Sequence, residues 1–192
     1  MEPIEVLWIV VFLLFGAIGL VRGFLKELGV TTAIFVAIYI ISELLEKRKI
    51  TDMMMGKAVS VSPGAFSALD ADDPRSALLR CILYMLIMIF MVFISYHGET
   101  LTFKGAPPKG RMGTLFNLMV GLLNGYLVAG TLWYYLDKYE YPTRLIGLYE
   151  GELSSRAEFL RSLLLLNLIP DNFQEPILLF FIIFLIIMRV VR

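Results

Sequence analysis

The sequence predicts an all-α integral membrane protein. We expect a four-span helical core built from two hairpins, an interfacial amphipathic helix and a fifth span at the C-terminus. Of the 192 residues, 58% are hydrophobic and 18% are charged, whereas soluble domains are near half apolar and a quarter charged. The mean hydropathy is +0.77, and the apolar residues form runs long enough to cross about 30 Å of hydrocarbon.

Charge and residue usage argue against several classes of function. Seventeen basic and seventeen acidic side chains cancel, so there is no overall basic field to attract nucleic acid. The single cysteine, Cys81, cannot form an intramolecular disulfide. With the single histidine, His97, it cannot build a Cys/His metal cluster. We therefore expect no cofactor, no metal and no nucleic-acid partner.

The first hairpin is predicted from two apolar runs, at residues 4–20 and 28–45. Only about seven residues separate them, so the two helices should be antiparallel neighbours. Arg22 and Lys26 mark the water boundary of the turn. The hydroxyl groups of Thr31 and its neighbour Thr32 are expected to bond back to the preceding helical turn.

A long polar loop is predicted over residues 46–77, with at most a short interfacial helix around 50–55. The acidic residues of the loop are Asp70, Asp72 and Asp73. They suit a solvated loop better than a cation site. The third span is predicted at 78–96 and the fourth at 112–136.

Two helix faces are predicted to meet inside the membrane. Residues three and four apart share a helix face, and small residues on such a face let two backbones approach closely. An amide in hydrocarbon must also find a partner, so the face of the fourth span should point into the bundle or into a self-association interface. The first span contributes Gly16, Gly19 and Gly23, beside Arg22; the fourth contributes Asn117, Gly121, Asn124 and Gly125.

The C-terminal third divides into a polar segment at 137–175 and a hydrophobic helix at 176–192. Ser155 and Glu158 form a predicted capping box that opens an amphipathic helix over about 155–168. The apolar run at 177–188 is short for a span. It either crosses the membrane with flanking arginines snorkelling or forms a half-inserted tail.

At this point two stretches suggest a family. The stretch GAIGLVRGFLKELGVTTAIFVA, at 16–37, resembles the first hairpin of the bacterial colicin V production (CvpA-type) membrane proteins, with the Arg-Gly element at Arg22 and Gly23. The stretch VGLLNGYLVAGTLWYYLD, at 120–137, is similar to that family's last core helix. Asn124 stands just before the second glycine, where relatives often have arginine, and Asn117 stands where they have another glycine. Amide bonding is therefore expected to replace close packing there.

The resemblance implies a location in the bacterial cytoplasmic membrane. It also implies a role in colicin export or envelope homeostasis, and in some members the anchoring of an extracytoplasmic protease after the fourth span. That arrangement would place both ends of the four-span core outside. Weighting basic residues by short loops also favours an outside N-terminus.

The sequence leaves three functions to consider. The leading hypothesis is a non-enzymatic membrane scaffold or accessory subunit, with the lipid bilayer and other membrane proteins, or a second copy of itself, as partners. A small transporter or channel component is the alternative, although the first four spans carry no charge near mid-membrane. An intramembrane enzyme would need paired catalytic groups at depth, and the sequence offers no such pair.

Overall fold

The structure, a computed structural model, describes residues 3–61, 74–98, 103, 105–106, 109–141 and 154–190. Within these ranges helices are the only regular elements, which confirms the predicted all-α class. The helices are α1 (Pro3–Arg22), α2 (Phe24–Tyr39) with a π-helical continuation (Ile40–Lys47), α3 (Ile50–Val61), α4 (Pro74–His97), α5 (Gly110–Lys138), α6 (Ser155–Ser162), α7 (Leu165–Leu168) and α8 (Asp171–Val190).

Five of the described helices are long and apolar enough to cross a membrane: α1, α2 with its π-helical continuation, α4, α5 and α8. The chain is therefore a multi-pass membrane protein. The C-terminal helix α8 is 20 residues long and includes Pro176 in its interior. Because it begins at Asp171 rather than near residue 176, it has the length that the apolar run at 177–188 lacks by itself.

The central element is α2, which packs against α5, α4 and α8. The stretch of α2 from Gly29 to Phe35 is buried without interruption. On the α8 side, the rings of Phe35 and Phe181 stack with their centroids 5.1 Å apart. A helix that is apolar on all sides needs neighbours on several sides, and α2 obtains them from helices distant in sequence.

The most extensive contact between two helices joins α1 to α5, whereas the consecutive helices α1 and α2 touch much less. The turn between α1 and α2 is also shorter than predicted, because only Gly23 separates them. Gly23 has φ +89°, a left-handed conformation that favours glycine. This glycine therefore allows the chain to reverse within one residue.

The short helices α6 and α7 cover the end of the bundle where α5 finishes. The N-cap of α6 is Ser154, whose hydroxyl oxygen accepts a hydrogen bond from the Ala157 N–H at 3.2 Å. The predicted capping box placed this role one residue later, at Ser155, and was wrong. The Ser154 hydroxyl also donates to the buried Glu5 carboxylate of α1. The capping residue is therefore in contact with a residue 149 positions away in the sequence. The predicted helix over 155–168 is broken after Ser162.

Glycines bring α1 and α5 into backbone contact. A Cβ added at Gly121 would lie 2.5 Å from the Phe15 carbonyl oxygen and 2.9 Å from the Gly19 Cα. A Cβ at Gly19 would in turn lie 2.7 Å from the Gly121 Cα. Gly125 is as tight, because its Cβ would meet the Phe12 backbone at 2.9 Å. Since backbone atoms cannot rotate away, each of these positions requires glycine for the two helices to stay this close.

We predict that Gly121→Ala destabilises the protein by about 1–3 kcal/mol, because overpacking forces α1 and α5 apart. The measurement is thermal or denaturant unfolding of the purified protein in mild detergent. Gly130→Ala, on the same helix, is the matched control. Its Cβ would meet only the flexible Leu164 side chain at 3.4 Å. Equal stability of the two variants would contradict the proposed contact.

Candidate functional site

The candidate site is a buried polar cluster where α1, α2, α4 and α5 meet at the α1–α2 turn. Glu27, on the first turn of α2, is 0% exposed. We call its five members the Glu27 cluster: Arg22, Glu27, Thr31, Tyr96 and Asn124. They come from four different helices.

Both carboxylate oxygens of Glu27 have partners. Oε2 accepts hydrogen bonds from the Asn124 amide Nδ2 at 2.9 Å and from the Tyr96 hydroxyl at 3.0 Å. Oε1 accepts from the Arg22 guanidinium Nη1 at 3.3 Å. A buried carboxylate is costly unless it is paired and hydrogen-bonded, and here one residue from each of three neighbouring helices supplies that compensation.

The Asn124 amide joins α5 to α2 through both of its ends. Its Nδ2 donates to the Glu27 backbone carbonyl at 3.1 Å as well as to the side chain. Its Oδ1 lies 2.7 Å from the Thr31 hydroxyl. Thr31 also makes the predicted bond back to the preceding turn, at 2.9 Å from the Glu27 carbonyl oxygen. The amide is 0% exposed and has partners at both its nitrogen and its oxygen.

Arg22 binds the cluster from its outer side. Its guanidinium carbon lies 4.4 Å from the centroid of the Tyr96 ring, which is within the range of a cation–π contact. Its side chain remains 25% exposed. Arg22 therefore covers one side of the cluster while part of its side chain stays accessible.

Asn117 acts next to the cluster rather than inside it. Its side-chain Oδ1 accepts a hydrogen bond from the Phe24 N–H at 2.7 Å. Phe24 is the first residue of α2, where backbone N–H groups have no partner within the helix. The N-cap residue Gly23 has no side chain that could accept this hydrogen bond. The side-chain amide of Asn117, on α5, accepts it instead.

The residues singled out in the sequence lie together, along the contact of α1 with α5. Asn117 caps α2, Gly121 meets Gly19, and Asn124 enters the Glu27 cluster. Gly16 and Gly125 extend the contact from there toward the beginning of α1. The predicted face of α5 is therefore used within the chain, against both α1 and α2.

Sequence reasoning missed three members of the Glu27 cluster. Glu27 directly follows Lys26 at a helix end, which usually indicates a solvated position, and Lys26 is indeed exposed. Tyr96 looked like an ordinary aromatic residue at a membrane boundary. The spacing of Glu27 and Thr31 was an available signal, since residues four apart share a helix face and an amide was already expected to need partners.

A second group of polar contacts lies at the opposite end of the bundle, around the π-helical segment. Glu43 is buried and pairs with Lys47 at 2.7 Å. Lys47 also donates to the Asp171 carbonyl of α8 at 3.0 Å. Glu46 pairs with Lys138 of α5 at 2.9 Å. These contacts join the end of α2 to the start of α8 and the end of α5.

Tyr139, just beyond α5, belongs to this second group. Its hydroxyl donates to Glu46 Oε1 at 3.4 Å. Burial, together with the nearby negative charge of Glu46, raises the pKa of Tyr139. The tyrosine therefore stays a neutral hydrogen-bond donor at ordinary pH.

Between the two polar groups the interior is mostly apolar, and the buried Thr131 hydroxyl there donates to the Leu127 carbonyl of its own helix. Ile34, Ile38 and Ile41 of α2 are each 0% exposed, as is Met88 of α4. Among the described residues no group of three or more His, Cys, Asp or Glu side chains is placed to hold a metal ion. The predicted Asp70, Asp72 and Asp73 cluster lies outside the described residues, and His97 is exposed and stacks on Phe93.

No family model, curated protein or solved structure matches the chain.

We predict that Tyr96→Phe destabilises the protein by about 1.5–3 kcal/mol, the range for a hydrogen bond to a charged group. The cost should largely disappear in a Glu27→Ala background, because the acceptor is then gone. Unfolding of the two single variants and the double variant in detergent measures this coupling.

Tyr126→Phe is the control for this cycle. Tyr126 donates to a backbone carbonyl, that of Leu163, at an exposed position. The loss of stability caused by Tyr126→Phe should add to the loss caused by Glu27→Ala. If the effect of Tyr96→Phe is also additive, the hydroxyl of Tyr96 does not stabilise the Glu27 carboxylate.

Proposed function

We propose that this chain is a non-enzymatic membrane scaffold or accessory subunit, acting in envelope homeostasis, export or the assembly of a larger membrane complex. The observation that carries the proposal is the saturation of the Glu27 cluster. Both Glu27 carboxylate oxygens and both ends of the Asn124 amide are bound by other groups of the chain. Such an arrangement holds helices in one geometry and leaves no free acid or base for chemistry on a substrate.

The resemblance to the CvpA-type proteins supports the same proposal. The stretches that carry it, at 16–37 and 120–137, contribute Arg22, Glu27 and Asn124 to the cluster. We therefore extend the family's role in export and envelope homeostasis to this chain. Its partners are then the lipid bilayer and other membrane proteins, or a second copy of itself.

A transporter or channel component is the alternative function. It is favoured by one observation, the complete burial of the Glu27 carboxylate in a membrane-spanning helix, because such residues often mark ion or proton paths. The apolar layer behind it weighs against a path in this conformation. A transporter would have to open that layer around Ile34 and Ile38.

The test of the scaffold proposal is cross-linking in native membranes, followed by purification in mild detergent. A stable protein partner, or a self-oligomer, is the expected result for the wild type. Gly121→Leu, which separates α1 from α5, should lose the partner while Gly130→Ala keeps it. Strictly monomeric behaviour with no recovered partner would overturn the proposal, and ion or solute flux into reconstituted vesicles that Glu27→Gln abolishes would favour the transporter.

We further propose that the protein lies in the bacterial cytoplasmic membrane with its N-terminus outside. Exposed lysines at the two ends of the bundle provide a matched pair of probes: Lys26 beside the α1–α2 turn and Lys49 after the π-helical segment. In a Cys81→Ser background, a membrane-impermeant maleimide should label Lys49→Cys in intact cells and not Lys26→Cys. Both should react after lysis. The reverse pattern in intact cells would mean that the N-terminus is inside.

A further inference from the structure

At one end of the bundle, basic residues outnumber acidic residues. This end, which we call the basic end, comprises the α1–α2 turn, the end of α4, the beginning of α5 and the end of α8. Within the described ranges its only carboxylate side chain is that of Glu27, which is buried and paired with Arg22. The basic residues described there are Arg22, Lys26, Lys109, Arg111 and Arg189.

At the opposite end of the bundle, acidic and basic residues compensate one another. Exposed carboxylates at Glu140, Asp171 and Glu175 accompany the exposed basic residues of that end. The charges of the whole sequence cancel, but the described charges are therefore distributed unequally along the bundle. The ion pairs of the opposite end are Glu43–Lys47, Asp52–Arg80, Glu46–Lys138 and Asp137–Arg161.

Three basic side chains of the basic end remain available to a ligand. Lys26, on the first turn of α2, is exposed, as are Lys109 and Arg111 at the beginning of α5. None of the three makes an ion pair or a side-chain hydrogen bond with another residue that the structure describes. Because no described carboxylate is exposed beside them, this surface attracts anions.

The depth of the basic end in the membrane indicates which anions it meets. The apolar span of α1 ends at Arg22 and that of α2 begins at Phe24, so the turn between them lies near the edge of the hydrocarbon. Asn117 of α5 accepts a hydrogen bond from Phe24, whereas α5 begins seven residues earlier, at Gly110. Seven residues rise about 10 Å, and the headgroup layer on each side of the hydrocarbon is about 5–8 Å thick. The first two turns of α5 therefore cross the headgroup layer.

These two turns combine charge with exposed apolar side chains. Met112, beside Arg111, is 60% exposed, and Leu115 is 47% exposed. Basic and apolar side chains on one helical segment are typical of the membrane interface, where the apolar groups contact acyl chains and the charged groups reach anionic headgroups. An anionic lipid offers both an acyl chain and a negative charge, so it matches both properties of the segment.

We propose that the basic end binds anionic glycerophospholipids, with Lys26, Lys109 and Arg111 contacting the headgroup phosphates. Phosphate oxygens are charged acceptors, which suit ammonium and guanidinium donors. The protein then selects anionic lipid in one leaflet only, because the opposite end has no comparable excess of positive charge among its described residues. The proposal is independent of the scaffold function, because it uses no residue of the Glu27 cluster.

The lipids that copurify with the full-length protein test this proposal. The protein is purified in mild detergent containing equal amounts of phosphatidylglycerol and phosphatidylcholine with the same acyl chains, and the retained lipids are quantified by mass spectrometry. The wild type should retain the anionic lipid in at least about fivefold excess, which corresponds to the contribution of about 1 kcal/mol from one basic residue near a charged surface. Equal retention of the two lipids would overturn the proposal.

The triple variant Lys26→Gln, Lys109→Gln and Arg111→Gln removes the three charges from exposed positions. The excess of anionic lipid should disappear, while the unfolding transition stays that of the wild type. If this variant folds poorly, the charge-conserving variant Lys26→Arg, Lys109→Arg and Arg111→Lys provides a second measurement. It should keep the excess at low salt and lose most of it at about 1 M salt, where the Debye length is about 3 Å. An excess that persists at high salt would contradict the assigned contacts.

The matched control removes the same charge from the opposite end of the bundle. Arg48, Lys49 and Arg156 are exposed there, and their combined replacement by Gln should leave the excess of anionic lipid unchanged. An equal loss in the two triple variants would mean that net charge, rather than the basic end, determines lipid retention, and would overturn the proposal.

A photo-reactive residue at Leu115 distinguishes a lipid from an acidic protein in native membranes. Because Leu115 is exposed on the segment that crosses the headgroup layer, the probe should label phospholipid there. Capture of a polypeptide with no lipid labelled would identify a protein as the ligand and overturn the proposal.

Discussion

The burial of the Glu27 carboxylate is the constraint on which the other helices depend. In a membrane, lipid is as apolar as the helix surfaces, so hydrophobic burial does little to bring helices together. A carboxylate removed from water needs partners within the protein, and Arg22, Tyr96 and Asn124 bring one from each of α1, α4 and α5. The close glycine contact of α1 with α5 then follows the same geometry, because Asn124 can reach Glu27 only if its helix lies against the α1–α2 turn.

The helix α2 is held at both ends by charged pairs and in the middle by apolar packing. Glu27 and Glu43 are 16 residues apart, which is about 24 Å along a helix and slightly less than the thickness of the hydrocarbon layer. Each acid is neutralised by a basic partner, Arg22 at one end and Lys47 at the other. The two pairs lie near opposite ends of this long helix, and Lys47 also donates to the Asp171 carbonyl where α8 begins.

The scaffold proposal depends on how the polar groups of the bundle are paired. The polar side chains of the Glu27 cluster are hydrogen-bonded to one another, which holds α1, α2, α4 and α5 in one geometry. A largely apolar groove between the beginning of α1 and the end of α5 lies at the opposite end of the bundle from this cluster.

The sequence by itself determined the class of the protein and the number of long apolar helices. It also singled out the small and amide residues on α1 and α5. These features follow from the length and hydropathy of each run and from residues spaced three and four apart, which are local properties. Tertiary structure alone decided what those residues do. Nothing local distinguishes Glu27 from its exposed neighbour Lys26, and the partners of Glu27 at Tyr96 and Asn124 lie 69 and 97 residues away. Ser154 rather than Ser155 caps α6, and Ser154 also contacts Glu5 of the distant helix α1. Which polar group is buried depends on which helices meet, and that is a property of the assembled bundle.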